Sequence, residues 1–79
     1  MAVSVLFPKS GMGITEGTIV KWLKAVGDRV EQSEIIAEIE TAKTVLEIEA
    51  PVAGALASIR FQEGDEVEVE AEIATIEEG

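Results

Sequence analysis

Residues 17–40 and residues 54–77 are two copies of one pattern, set 37 positions apart. Nine of the 24 aligned positions are identical: Gly17/Gly54, Gly27/Gly64, Asp28/Asp65, Val30/Val67, Glu31/Glu68, Ile36/Ile73, Ala37/Ala74, Ile39/Ile76 and Glu40/Glu77. Unrelated segments of similar composition would share about two. Ile19/Leu56 and Trp22/Ile59 keep apolar character besides. The repeat constrains the fold more than any local motif, because a unit too short to bury its own apolar face must pack on its twin. A chain of 79 residues has room for one domain, over 1–79, with one thin core shared by both halves.

Each half reads as strands. Val3, Val5 and Phe7 alternate, as do Ile35, Ala37 and Ile39, then Leu46 and Ile48, then Val67 and Val69. A period of two puts such side chains on one face of a sheet. The Gly-Asp pairs at 27–28 and 64–65 lie between apolar runs and read as tight turns. Pro8 and Pro51 suit strand ends, where a missing donor does little harm. One segment argues for a helix: Ile19, Trp22, Leu23 and Val26 have helical spacing. The repeat decides against it, since the counterparts of Leu23 and Val26 are Arg60 and Glu63, which would charge the buried stripe. The expected architecture is all-β, a flattened barrel or sandwich of two small antiparallel sheets with pseudo-two-fold symmetry (a barrel-sandwich hybrid). Its core candidates are Val5, Ile19, Trp22, Val30, Ile39, Ile48, Leu56, Ile59, Val67 and Ile76.

Composition removes several functions. There is no cysteine, hence no thiolate chemistry, and no histidine, the usual near-neutral acid–base and commonest metal ligand. No metal site and no catalytic nucleophile–base pair is expected, so the domain itself is not expected to be an enzyme. Sixteen acidic against six basic residues give a formal charge of −10. Such a surface repels nucleic acid and anionic membranes, which need clustered Lys and Arg. The plain reading is that this charge keeps a small domain in solution; the sharper alternative is that it steers the domain toward basic partner surfaces. No stretch approaches the ~20 apolar residues of a membrane-spanning helix, and residues 1–7 lack the basic and apolar regions of a signal peptide. A soluble, monomeric domain is the expectation.

The midpoint of the repeat carries the chemistry. Ile39-Glu40 ends one strand and Val45-Leu46 begins the next, which leaves Thr41-Ala42-Lys43-Thr44 for a tight hairpin. It lacks the Asn-Gly or Asp-Gly of a primed turn, so a type I turn is expected. A lysine in a turn is most often just a solvated charge. Lys43, however, sits at the centre of the pseudo-symmetry, on a rigid sheet end, between small residues. An ordinary lysine amine, with pKa ~10.4, is almost wholly protonated near neutral pH and is a poor nucleophile unaided. It is a good attachment point when another enzyme activates the acid and supplies the base. Amide formation would remove its charge, taking the total from −10 to about −11.

Pro8-Lys9-Ser10-Gly11, Thr15-Glu16-Gly17-Thr18-Ile19-Val20-Lys21-Trp22, Gly27-Asp28-Arg29-Val30 and Glu40-Thr41-Ala42-Lys43 resemble the lipoyl domains of 2-oxo acid dehydrogenase complexes. The likeness covers essentially the whole chain and is greatest to lipoyl domains of the dihydrolipoamide acyltransferase component, acetoin-type and branched-chain-type systems included. The resemblance implies that Lys43 holds lipoic acid in amide linkage, with Thr41, Ala42 and Thr44 flanking it in the hairpin. It implies a swinging arm acylated by a thiamin-diphosphate-dependent decarboxylase, unloaded by an acyltransferase core and reoxidised by a dihydrolipoyl dehydrogenase. A lipoate ligase or lipoyl transferase would attach the group. The compartment would be the cytoplasm in a bacterium or the mitochondrial matrix in a eukaryote.

The first half carries six residues more than the second between its proline and its glycine, since Pro8 precedes Gly17 by nine and Pro51 precedes Gly54 by three. The resulting segment, Lys9, Ser10, Gly11, Met12, Gly13, Ile14, Thr15 and Glu16, reads as an exposed loop. By the resemblance it helps the decarboxylase recognise its carrier. One departure is Ala42, where the family usually has an acidic residue; that position bears on recognition by the decarboxylase more than on attachment. Two alternatives belong to other classes. A biotin carrier shares the architecture but usually has methionines on both sides of its lysine, where this chain has Ala42 and Thr44. An unmodified acidic interaction module would leave Lys43 merely exposed. The lipoylated carrier protein of glycine cleavage is longer, with helices this chain does not supply.

Overall fold

The computed structural model describes residues 1–8 and 13–78. Among these, all regular structure is strand: β1 (Ala2–Leu6), β2 (Glu16–Trp22), β3 (Arg29–Val30), β4 (Ile35–Glu40), β5 (Val45–Glu49), β6 (Gly54–Ile59), β7 (Glu66–Glu68) and β8 (Glu72–Glu77). They form two four-stranded antiparallel sheets, ordered β1-β8-β6-β3 and β5-β4-β2-β7. The molecule is flat, 35 × 22 × 17 Å. The sheets face each other as a sandwich and do not close into a barrel.

The repeat is visible in the strand order. Adding 37 carries β2, β3 and β4 onto β6, β7 and β8, while β5 takes the place of β1, so one sheet maps onto the other. The two short strands change sides: β3 pairs with β6 of the second half, and β7 with β2 of the first. Each half therefore completes the other's sheet.

The expected strand over residues 19–26 holds as far as Trp22, and no helix forms there. Leu23 and Val26 are exposed beyond the strand end. Both Gly-Asp turns form in the same way. Asp28 N–H donates to Ala25 O at 3.0 Å while Ala25 N–H donates to Asp28 Oδ2 at 2.9 Å, and Asp65 with Gln62 repeats this at 3.0 and 2.8 Å. Gly27 and Gly64 sit third in these turns with φ of 97° and 93°, left-handed values that glycine adopts without penalty.

Eight of the ten core candidates are buried; Trp22 and Ile59 are half-buried and pack against the core's edge. Trp22 still satisfies its indole N–H, which donates to Phe61 O at 2.9 Å. The simple alternation of Ile35, Ala37 and Ile39 needs correction. Ile36 is fully buried and Ile35 is not, because pairing with β5 shifts register between Ile35 and Ala37. A bulge of this kind turns two successive side chains toward one face. The same happens at Ile73 and Ala74, 37 residues on.

Candidate functional site

The hairpin between β4 and β5 is closed by a side chain. Thr41 N–H donates to Thr44 O at 2.8 Å, and the Thr41 hydroxyl donates to the same oxygen at 2.7 Å. Thr41 Oγ1 in turn accepts from Thr44 N–H at 3.0 Å and from Lys43 N–H at 3.3 Å. A hydroxyl that takes over backbone bonds in this way is the threonine form of a side-chain turn. Ala42 and Lys43 occupy the two central positions and neither has a positive φ, so the turn is not a primed one. Thr41, placed by the sequence only as a flank, is thus the residue that holds the turn together. Lys43 is exposed, and among the described residues it enters no ion pair. Its side chain is open to solvent, and Ala42 and Thr44, both exposed and small, flank it.

The segment leading into β2 meets the hairpin. Gly13, Ile14, Thr15 and Glu16 line one side of a cavity of about 300 Å³, and Ala42 and Lys43 line the other. Of the residues assigned to a recognition loop, Lys9, Ser10, Gly11 and Met12 lie outside the described residues. Ile14 belongs to the core, at 8 % exposure, and so anchors the segment rather than meeting a partner. Glu16 is already the first residue of β2, and it remains exposed beside the lysine together with Gly13 and Thr15.

Glu16, which lines the cavity with Lys43, belongs to an acidic cluster that the sequence alone did not reveal. Strand exchange puts β7 beside β2, so Glu16 pairs with Glu68 and Thr18 with Glu66. A hydrogen bond to the Glu16 side chain, then the Glu16 charge, then slight burial and the Glu68 charge raise the Glu66 carboxyl above the ordinary carboxylate range. Folding therefore favours the protonated form of Glu66, and the associated penalty is present at neutral pH and relieved as pH falls through the raised value. Glu66→Gln is expected to raise the melting temperature at pH 7 and to lose that advantage near pH 4. A melting series across this range checks it; an advantage that stays constant with pH would show that charge repulsion is not the cause.

The chain matches the biotin/lipoyl family, described as biotin-requiring enzyme, over residues 3–76. It is 49 % identical over 76 residues to the dihydrolipoyllysine-residue acetyltransferase component of the pyruvate dehydrogenase complex of Corynebacterium glutamicum, an alignment covering 96 % of this chain and 11 % of that protein. The chain thus spans about a tenth of that relative's length. Among solved structures it is similar to the lipoyl domain of the 2-oxoglutarate dehydrogenase complex from Azotobacter vinelandii, with 35 % identity, a TM-score of 0.73 and coverage of 100 % and 98 % of the two chains. It is also similar to part of the urea carboxylase of Kluyveromyces lactis, with 30 % identity, a TM-score of 0.79 and coverage of 96 % and 6 %.

Proposed function

Because the chain belongs to the biotin/lipoyl attachment family, we propose that it is the lipoyl carrier domain of a dihydrolipoamide acyltransferase, with lipoic acid in amide linkage to Lys43. The observation that carries this reading is the exposed Lys43 amine, central in a turn that Thr41 holds rigid. When attached, the lipoyl group supplies a dithiolane that takes up an acyl group together with two electrons. The chain's own residues do the positioning. Thr41 fixes the turn, the β4–β5 ladder ties the turn to the core, and small neighbours leave the amine accessible. In attachment, the deprotonated Lys43 Nζ attacks an activated carboxyl carbon. An amide bond forms, the activating group leaves, and the amine's proton passes to a base on the attaching enzyme.

The domain then serves a thiamin-diphosphate-dependent decarboxylase, an acyltransferase core and a dihydrolipoyl dehydrogenase in turn. Tethering keeps the carrier at high effective concentration at each site, which is the physical gain of the arrangement. The test is intact mass after incubation with lipoate ligase, lipoate and ATP. Wild type is expected to gain one lipoyl group and Lys43→Arg none, since a guanidinium stays protonated and does not acylate. A biotin-sized addition with biotin ligase would assign the chain to the biotin carriers instead. Absence of either addition would leave an acidic interaction module.

A further inference from the structure

β5 is an outermost strand, bonded to β4 on one side only, and among the described residues no backbone hydrogen bond reaches its other side. It begins two residues after Lys43. Its inner face meets a groove of about 420 Å³ between β5 and β1, the outermost strand of the other sheet. The groove is lined by apolar Val5, Leu6, Pro8, Ile48 and Pro51 and also by Glu47 and Glu49. Val5 and Ile48 are buried, whereas Leu6 is 48 % exposed, a large apolar side chain with one face uncovered.

The outer face of the same strand has a charge row with an open end. Lys21 pairs with Glu38, and Glu38 with Glu47. Directly opposed like charges destabilise a strand pair, and an opposite charge in the next place stabilises it. Glu47 has the Glu38 carboxylate on its paired side and open edge on the other; Glu49, two residues on, projects from the same face. Along Val45–Glu49 the edge is guarded by carboxylates, Glu47 and Glu49, and by neither proline nor lysine. These carboxylates oppose pairing with a second copy of the strand and admit a cationic one.

We propose that the free edge of β5 receives an extended segment that alternates apolar and basic residues, supplied by the enzyme that acylates Lys43. Apolar side chains of the added strand enter the groove over Ile48 and Leu6, and basic ones lie beside Glu47 and Glu49. This inference rests on the carrier reading and names how that site is recognised. The attaching enzyme is the occupant because it must bring Lys43 Nζ itself to an acyl carbon, a task sensitive to about 1 Å of misplacement. A strand in register with β5 fixes the neighbouring turn to that degree. Enzymes that meet the far end of a long flexible arm need no such register.

The experiment uses the whole chain with lipoate ligase, lipoate and ATP. Glu47→Lys/Glu49→Lys is expected to raise KM for the domain about tenfold at low salt while leaving kcat within about twofold, because rim charges govern encounter more than chemistry. Salt should weaken the wild type more than the variant. Glu31→Lys/Glu78→Lys makes the same change of charge beside the chain termini and is expected to leave KM unchanged. Reversing Glu47 relieves its repulsion from Glu38, so the variant folds at least as well as wild type. Amide hydrogen exchange of the ligase complex provides a readout independent of mutation, with protection expected across Val45–Glu49. Equal KM values for the two double variants, or protection that bypasses β5, would overturn the inference while leaving the carrier reading intact. Failure of wild type to be acylated at all would remove the carrier reading and this inference with it.

Discussion

Gly17→Ala is expected to cost about 2–4 kcal/mol of folding stability, a large share of what a domain this small possesses. A Cβ at Gly17 would lie 2.5 Å from Ile39 Cγ2, 2.9 Å from Glu40 O and 3.3 Å from Phe7 Cε2. The side-chain methyl can yield, but the carbonyl belongs to the backbone of β4 and yields only if the strand moves. That strand ends three residues before Lys43, so the clash is transmitted to the hairpin. Gly54 occupies the equivalent place, with Glu77 O and Ile76 Cγ2 in the way of a Cβ. Gly54→Ala should therefore be about as destabilising, yet it strains the strand pair that ends at the termini. Urea denaturation of both variants measures the first effect, and lipoylation rates of the folded fraction measure the second. Attachment is expected to fall for Gly17→Ala and to hold for Gly54→Ala. Equal rates would show that strain in β4 does not reach the turn.

The second large effect is expected for Phe7→Ala, about 3–5 kcal/mol. Phe7 is fully buried beneath Gly17, and its ring is the largest apolar group in the core. Its backbone bonds, from Phe7 N–H to Ala71 O at 3.0 Å and from Glu70 N–H to Phe7 O at 2.6 Å, survive truncation, so the loss is one of packing alone. The two halves share a single core, and the unfolding transition should stay cooperative while its midpoint drops. A biphasic transition would show that the halves unfold separately, against the strand exchange.

Phe7 also shows where a sequence reading stops. It continues the alternation of Val3 and Val5, but its counterpart before Pro51 is the small Ala50, so the repeat gave no sign that an aromatic ring fills the core at this place. Where both copies exist, most positions held: Gly17, Val30, Ile39 and their counterparts all lie where duplicated strands require. The bulges at Ile36 and Ile73 break a period of two, so the alternation of Ile35, Ala37 and Ile39 passed over Ile36, although two identical Ile-Ala pairs 37 residues apart were the available signal. The exposed position of Lys43 was legible because the repeat puts a hairpin at its midpoint. The Glu16–Glu66 contact was not, because it joins opposite halves through strand exchange, and no local pattern encodes which sheet a three-residue strand enters. Nor was the cavity beside Lys43, because residues 13–16, which line it, have no counterpart in the repeat.

The order in which strands are synthesised differs from the order in which they lie. β8, the last to be made, is an inner strand of its sheet, bonded to β1 on one side and β6 on the other. A nascent chain leaving the ribosome has nothing to close that sheet until residues 72–77 have emerged, and until then β1 and β6 are edges without a neighbour. Lys43 is out of the tunnel well before this, in a hairpin whose supporting half is still waiting for its twin. An attaching enzyme that demands the finished turn would meet its substrate only once residues 72–77 have joined their sheet, which would make attachment a mark of a folded domain.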